Sequence, residues 1–203
     1  IGHKAYGNGI SIGPNSYVTS ASQIAIGHSA YTTGSESVVI GNIASSASNR
    51  STAVGKGSSA GFEACAYGYD TSAANYGIAI GSRATSGTGN SIVIGQGALC
   101  DGDAIMMGMG ASDNSNIGGI MIGHSVQLRG RNGIGIGNFT EAYNHAVALG
   151  YKTQAPEGHF ILGSGVAQTD LLLSGVFKTH LAMPNGQQFR QIASAAQTSD
   201  LTQ

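Results

Sequence analysis

Charge is scarce in this chain of 203 residues. Lysine and arginine number 9, aspartate and glutamate 10, and charged residues make up 9% of the sequence, against about 25% in an average soluble domain. With bases and acids in balance, no basic surface for a nucleic-acid backbone is expected. A disordered chain usually carries high charge, so the same scarcity argues for order. Tryptophan is absent, and 3 prolines are too few for a proline-rich linker. No apolar run approaches the roughly 18–20 residues that cross a bilayer, so membrane insertion is not expected. Glycine is what the chain has in excess: 33 residues, more than twice the typical share of about 7%. It does not follow the collagen triplet. An ordered chain of small residues with little charge suggests repetition.

An apolar residue followed by glycine recurs at Gly2, Gly13, Gly27, Gly41, Gly55, Gly68, Gly81, Gly95, Gly108, Gly123, Gly137, Gly150 and Gly163. Every step is 13 or 14 residues except the first, of 11, and one of 15. Such self-similarity marks a repeat architecture. The residues one and three before each glycine are mostly Ile, Val, Leu or Met, as in Ile24 and Ile26, Val38 and Ile40, Ile92 and Ile94. Two β-branched columns at period two describe a strand. The column between them is small or apolar too (Ala25, Val39, Ala79, Val93), so this strand is expected to be buried on both faces.

Beyond the glycine a second strand alternates. Positions three and five residues on are small or apolar, as in Ala30 and Thr32, while the position between them is more polar: Ser45, Ser59, Ser72, Gln127, Glu141. That order, inward, outward, inward, describes a strand with one face in solvent. A turn rich in Gly, Asn and Ser returns the chain. Each unit is therefore one coil of an all-β, parallel β-solenoid or β-roll, stacked on the last at about 4.8 Å. A heptad reading fails, because a glycine in every unit costs about 1 kcal/mol in a helix and the apolar columns alternate. The glycines are corner residues expected at positive φ.

A coil of this length has about four small or medium inward side chains, and so little core is marginal alone. The second apolar face of the first strand also needs a cover. Symmetric self-association supplies one.

The units Ser37-Val38-Val39-Ile40-Gly41 and Ser91-Ile92-Val93-Ile94-Gly95, and the following half Gly27-His28-Ser29-Ala30-Tyr31-Thr32-Thr33-Gly34, resemble the head repeats of trimeric autotransporter adhesins and similar modules in bacteriophage tail fibres. The resemblance covers residues 1–165. It implies a left-handed parallel β-roll, a homotrimer, and attachment to a cell surface. Residues 166–203 break the period and are expected to form a C-terminal β-rich cap or connector. There Leu171-Leu172-Leu173-Ser174-Gly175-Val176-Phe177-Lys178-Thr179 resembles the segment that follows the shaft in phage fibres and tailspikes, not an autotransporter neck. The resemblance therefore implies a virion location, with a bacterial cell surface as the alternative.

Candidate binding residues follow from the columns. Tyr6, Tyr17 and Tyr31 share one outward column on successive coils, an exposed aromatic ladder suited to stacking on sugar rings. Tyr69 and Tyr151 fall just after corner glycines, as do His3, His28 and His124. Arg129 and Arg131 stand where loop material accumulates, together with Asp113-Asn114-Ser115-Asn116; two arginines suit an acidic sugar or phosphate. Asp101-Gly102-Asp103 lacks the remaining ligands of a calcium loop, and no His-x-His pair is present, so no metal site is expected. Gly133-Ile134-Gly135-Ile136-Gly137 belongs to the repeat, not to a dinucleotide loop. Cys65 and Cys100 are placed in inward columns roughly 10 Å apart along the axis, too far to bridge, hence as free thiols. No nucleophile–base pair or carboxylate pair shares a face, so neither enzymatic activity nor a cofactor is expected. The functional expectation is a phage tail-fibre tip that binds a bacterial surface glycan or protein. The alternatives are an autotransporter adhesin head that binds host matrix, or a purely structural shaft.

Overall fold

A computed structural model describes residues 9–87, 89–113 and 118–164. They form the β-solenoid, and no helix occurs among them. The C-terminal cap or connector expected over 166–203 lies outside the described residues, as does Tyr6. The strands run from β1 (Ile10–Ile12) to β23 (Phe160–Ser164), and odd and even strands separate into two sheets of 12 and 11 strands. Every pairing is parallel and joins neighbouring coils: Ile26 stands beside Ile40, Ile80 beside Ile94, and Tyr17 beside Tyr31. Stacked at about 4.8 Å, the 12-stranded sheet is about 53 Å long.

The connection from odd to even strand has one length in every coil up to β20, and is shorter only where β21 runs on to Tyr151 before Gln154. Ile12 leads to Tyr17, Ile80 to Thr85 and Ile136 to Glu141. The return connection absorbs the difference between short and long coils, being shorter between Ala60 and Cys65 than between Thr32 and Val38. The constant turn is built on its glycine. Gly13, Gly27, Gly41, Gly55, Gly68, Gly81, Gly95, Gly108, Gly123, Gly137 and Gly150 all have φ between 122° and 152°, as expected of the corner residues. Gly163 stands in β23 in register with Gly150. A Cβ on Gly81 would lie 2.6 Å from the Gly95 carbonyl oxygen of the next coil, so the stack needs glycine for space as well as for dihedral angle.

A second left-handed position two residues past each corner was not visible as a motif. It is filled by Asn15, Ser29, Ile43, Asp70, Arg83, Ser125, Phe139 and Lys152, at φ 48–58°, and by Gly57, Gly97 and Gly110, at φ 63–68°. There the backbone bonds to the coil before: the Ile43 N–H donates to the His28 carbonyl and the Phe139 N–H to the His124 carbonyl, both at 2.9 Å. A β-branched or bulky residue is an outlier in this region, and Ile43 and Phe139 occupy it because the ladder over-determines the turn.

The interior is narrow. From the odd sheet, Ala25, Val39, Ala53, Ala66, Ala79, Val93, Met106 and Ala148 point inward and are fully buried. They face two inward columns of the even sheet, typified by Ala30 and Thr32 or Ala98 and Cys100. Gly135 occupies the same inward column on β19 (Gly133–Ile136), where a Cβ would meet Val126 Cγ1 at 2.7 Å. Buried hydroxyls pair internally: Ser11 with Ser16 at 2.6 Å, Ser86 with Ser91 at 2.7 Å. Gln23 is buried and satisfied, its Oε1 accepting from the Ser20 N–H at 2.9 Å and its Nε2 donating to the Gly34 carbonyl at 2.7 Å.

One expectation needs correction here. The odd strands are not buried on both faces within one chain. The two columns of larger aliphatics flanking the inward column project outward: Ile12, Ile40, Ile80, Ile105, Met107, Ile122 and Ile136 are about 40% exposed and Ile10 is 50% exposed. Sheets joined by such short turns leave room mostly for small side chains, with Met106, Met121 and Leu128 as the large ones inside, so most of the larger aliphatics are on the outside. Cys65 belongs to this outward set, between Thr52 and Ile78, and not to the interior; it is half-buried.

Candidate functional site

The solenoid presents four surfaces: the outward apolar face of the odd sheet, the outward face of the even sheet, and two turn edges. The corner edge carries the constant turns and the return edge the variable ones. The sequence-derived site residues are spread over three of these and do not converge.

On the even sheet, Tyr17 and Tyr31 begin β2 (Tyr17–Val18) and β4 (Tyr31–Thr32) and are exposed. Their rings stack with centroids 5.4 Å apart and planes 11° from parallel. Parallel in-register pairing places identical side chains directly over one another, and the pair forms a flat apolar plate at one end of the sheet.

Tyr69 and Tyr151 lie on the corner edge, six coils apart, about 29 Å at the strand spacing. Each has an ammonium near its ring, Lys56 Nζ at 5.5 Å from the Tyr69 centroid and Lys152 Nζ at 5.2 Å from that of Tyr151. Tyr151 also has a neighbour that sequence reasoning missed. Phe139 stands edge-on to it at 6.2 Å and edge-on to His124 at 5.1 Å. The signal was available in the alignment: the column of Phe139 otherwise holds mainly Ser, Asp, Asn and Gly.

Arg129 is not free to take an anion. Its Nε donates to Glu141 Oε2 at 3.1 Å and its Nη2 to Glu141 Oε1 at 3.3 Å and Gln127 Oε1 at 2.8 Å. The Glu141 carboxylate raises the already high guanidinium pKa. Arg131 is exposed on the return edge, where its backbone N–H donates to Asn144 Oδ1 at 2.9 Å. The two arginines are therefore not equivalent. Asp113 is not loop material either: it ends β16 (Ser112–Asp113), points inward and is fully buried. It faces Cys100, whose thiol pKa is raised by burial first and by the Asp113 charge as well. Cys100 Sγ donates to the Gly102 carbonyl at 2.8 Å, and both cysteines are free thiols.

Among the described residues no group of three or more His, Cys, Asp and Glu side chains converges as a metal site. Among the described residues no helix is long and apolar enough to cross a membrane. No family model matches the chain, and no curated protein matches it.

Proposed function

We propose that this chain is the head of a receptor-binding fibre, a bacteriophage tail-fibre tip that works as a homotrimer and attaches the virion to a bacterial surface glycan or protein. The observation that supports it most is the inverted distribution of side-chain size. Alanine, serine and threonine make up most of the inside of the coils, while isoleucine, valine, leucine and methionine make up most of two outward columns, interrupted at Thr52, Cys65 and Tyr67. Contiguous exposed apolar surface of this extent marks an interaction site, and a chain with so thin a core gains most of its hydrophobic stabilisation from covering it. The number three and the phage assignment rest on the sequence resemblance. No catalytic role is assigned, and the fibre needs no cofactor.

Light scattering of the purified chain is expected to give a particle of three chains; a stable monomer would overturn the proposal. For the receptor we assign the stacked pair Tyr17–Tyr31, since the rings are exposed, flat and outside both the interior and the apolar columns. Replacing both with serine is expected to lower adsorption to host cells at least tenfold while leaving particle mass and melting temperature within error. Unchanged adsorption would remove this plate from the receptor site.

A further inference from the structure

The two turn edges carry opposite charge. On the corner edge, Lys56, Arg83 and Lys152 are exposed and the acid among them is Asp70. On the return edge, Glu36, Asp103 and Glu157 are exposed, with Asp101 half-buried beside them. Of the cations there, Arg50 is already paired with Glu63 at 2.5 Å, which leaves Arg131. Among the described residues the corner edge is thus net positive and the return edge net negative, although the chain as a whole carries a formal charge of only −1. Arg129, at the turn position equivalent to Asp101, is neutralised by Glu141.

We infer that the corner edge of one copy seats against the return edge of a second copy of this chain, and that this charge pattern sets the copies parallel. The inference rests on the self-association proposed above and names how the copies are oriented. Turn the isoleucine faces of parallel copies toward a common axis, and each corner edge lies beside its neighbour's return edge. A rotation about an axis along the solenoid cannot do otherwise. Flip one copy end for end across the same apolar face, and corner meets corner and return meets return. The first arrangement opposes unlike charges and the second opposes like charges. The apolar face alone does not distinguish the two, because its isoleucine columns look nearly alike in either direction. Rotation also keeps every residue at its own height. Lys152 and Glu157 belong to the same coil, and Arg83 is one coil from Asp101 and Asp103, so these opposed charges meet within about a strand spacing along the axis, while Lys56 is two coils, about 10 Å, from Glu36. Complementary charge of this kind fixes register and suppresses wrong partners more than it adds affinity.

Charge reversal on the whole chain tests it. Lys56→Glu, Arg83→Glu and Lys152→Glu together make both edges negative; Glu36→Lys, Asp103→Lys and Glu157→Lys together make both positive. Each triple variant is expected to associate at least tenfold more weakly at 50 mM salt, measured by sedimentation, with the gap narrowing at 500 mM as the charges are screened. The sixfold variant, carrying both sets, is expected to recover the wild-type association, because the edges are again unlike. Circular dichroism of each variant separates lost assembly from lost fold; all substituted residues are on the surface. Triple variants that are folded and associate as the wild type does would overturn the inference and leave self-association standing. A sixfold variant that is folded but does not recover would also overturn it. Variants that assemble normally yet lose adsorption would mean that the edges face a receptor, which overturns it too. A monomeric wild type would overturn the inference and the proposed function together.

Discussion

Gly81→Ala is expected to be severely damaging for a single-methyl change, costing about 2–6 kcal/mol. Two independent penalties meet there. The corner holds φ at 131°, a region in which a residue with a Cβ is strained by about 1–3 kcal/mol. The new methyl also sits 2.6 Å from the Gly95 carbonyl oxygen and 2.7 Å from its carbon. Backbone cannot rotate away as a side chain would, and overpacking of this sort costs about 1–3 kcal/mol more. The damage does not stay local, because a solenoid holds together through nearest-neighbour interfaces and Gly81 lies near the middle of the stack. Gly97→Ala is the matched control. Gly97 has φ 63° and open space around the position of its Cβ, and Arg83 shows that a residue with a side chain is accepted at φ 58° in the equivalent place. Its cost is expected near 1 kcal/mol, that of one residue held in the left-handed region. Thermal denaturation of the two variants checks this: equal melting temperatures would mean that the close stacking of corner glycines is not what limits the repeat.

Ile80→Lys combined with Ile122→Lys is expected to abolish self-association and leave the coil folded. Both side chains are 39% exposed and stand outside the roll, so neither substitution opens an interior cavity. Each chain of an assembly would lose two apolar contacts worth about 0.5–1 kcal/mol apiece, since a neighbour can cover only the exposed 39% of each side chain. It would also bring two ammonium groups toward an apolar contact, which is unfavourable unless they are paired. The equivalent positions of all copies are altered at once, so the effect multiplies through the particle. Light scattering is expected to give a single-chain mass, and circular dichroism a retained β spectrum. A particle of unchanged mass would show that the isoleucine columns are not the contact surface. Loss of the β spectrum together with mass would show instead that the isolated coil depends on its neighbours to fold, as its alanine-rich interior suggests.

The repeat was readable because period and chemistry agree. A parallel, in-register stack needs the same residue class at the same height in every coil, so one fold decision is written many times, as in Ile24, Val38 and Ile92, or Ala30, Ala44 and Ala98. The inward columns of the even sheet and the positive φ at the corners were both legible for that reason. The second left-handed position was not read as one, because Ile43, Arg83, Phe139 and Lys152 interrupt a column otherwise of Asn, Ser, Asp and Gly, the residues that tolerate positive φ. That turn is imposed by backbone hydrogen bonds to the preceding coil, which any residue type can make. Asp113 looked like a loop residue because a buried aspartate runs against composition, yet its register with Cys100 and Leu128 carries it inside. The site residues were legible singly and not as an arrangement. Columns give the face a residue occupies, but not that Glu141 takes up Arg129 or that Phe139 links His124 to Tyr151.

By itself the scarcity of charge and the spacing of glycine determined a stack of short β coils with small residues within reach of one another. Periodicity is a property of the chain, and hydrogen bonding between identical strands converts it into height. Which apolar column lies inside was decided only in three dimensions. Two sheets joined by turns of four residues leave room between them for a methyl or a hydroxyl but for few longer side chains, so alanine and serine went in and isoleucine stayed out. The same closing of the coil gathered scattered lysines and glutamates onto opposite edges, because a turn residue has no choice but to sit at one edge or the other.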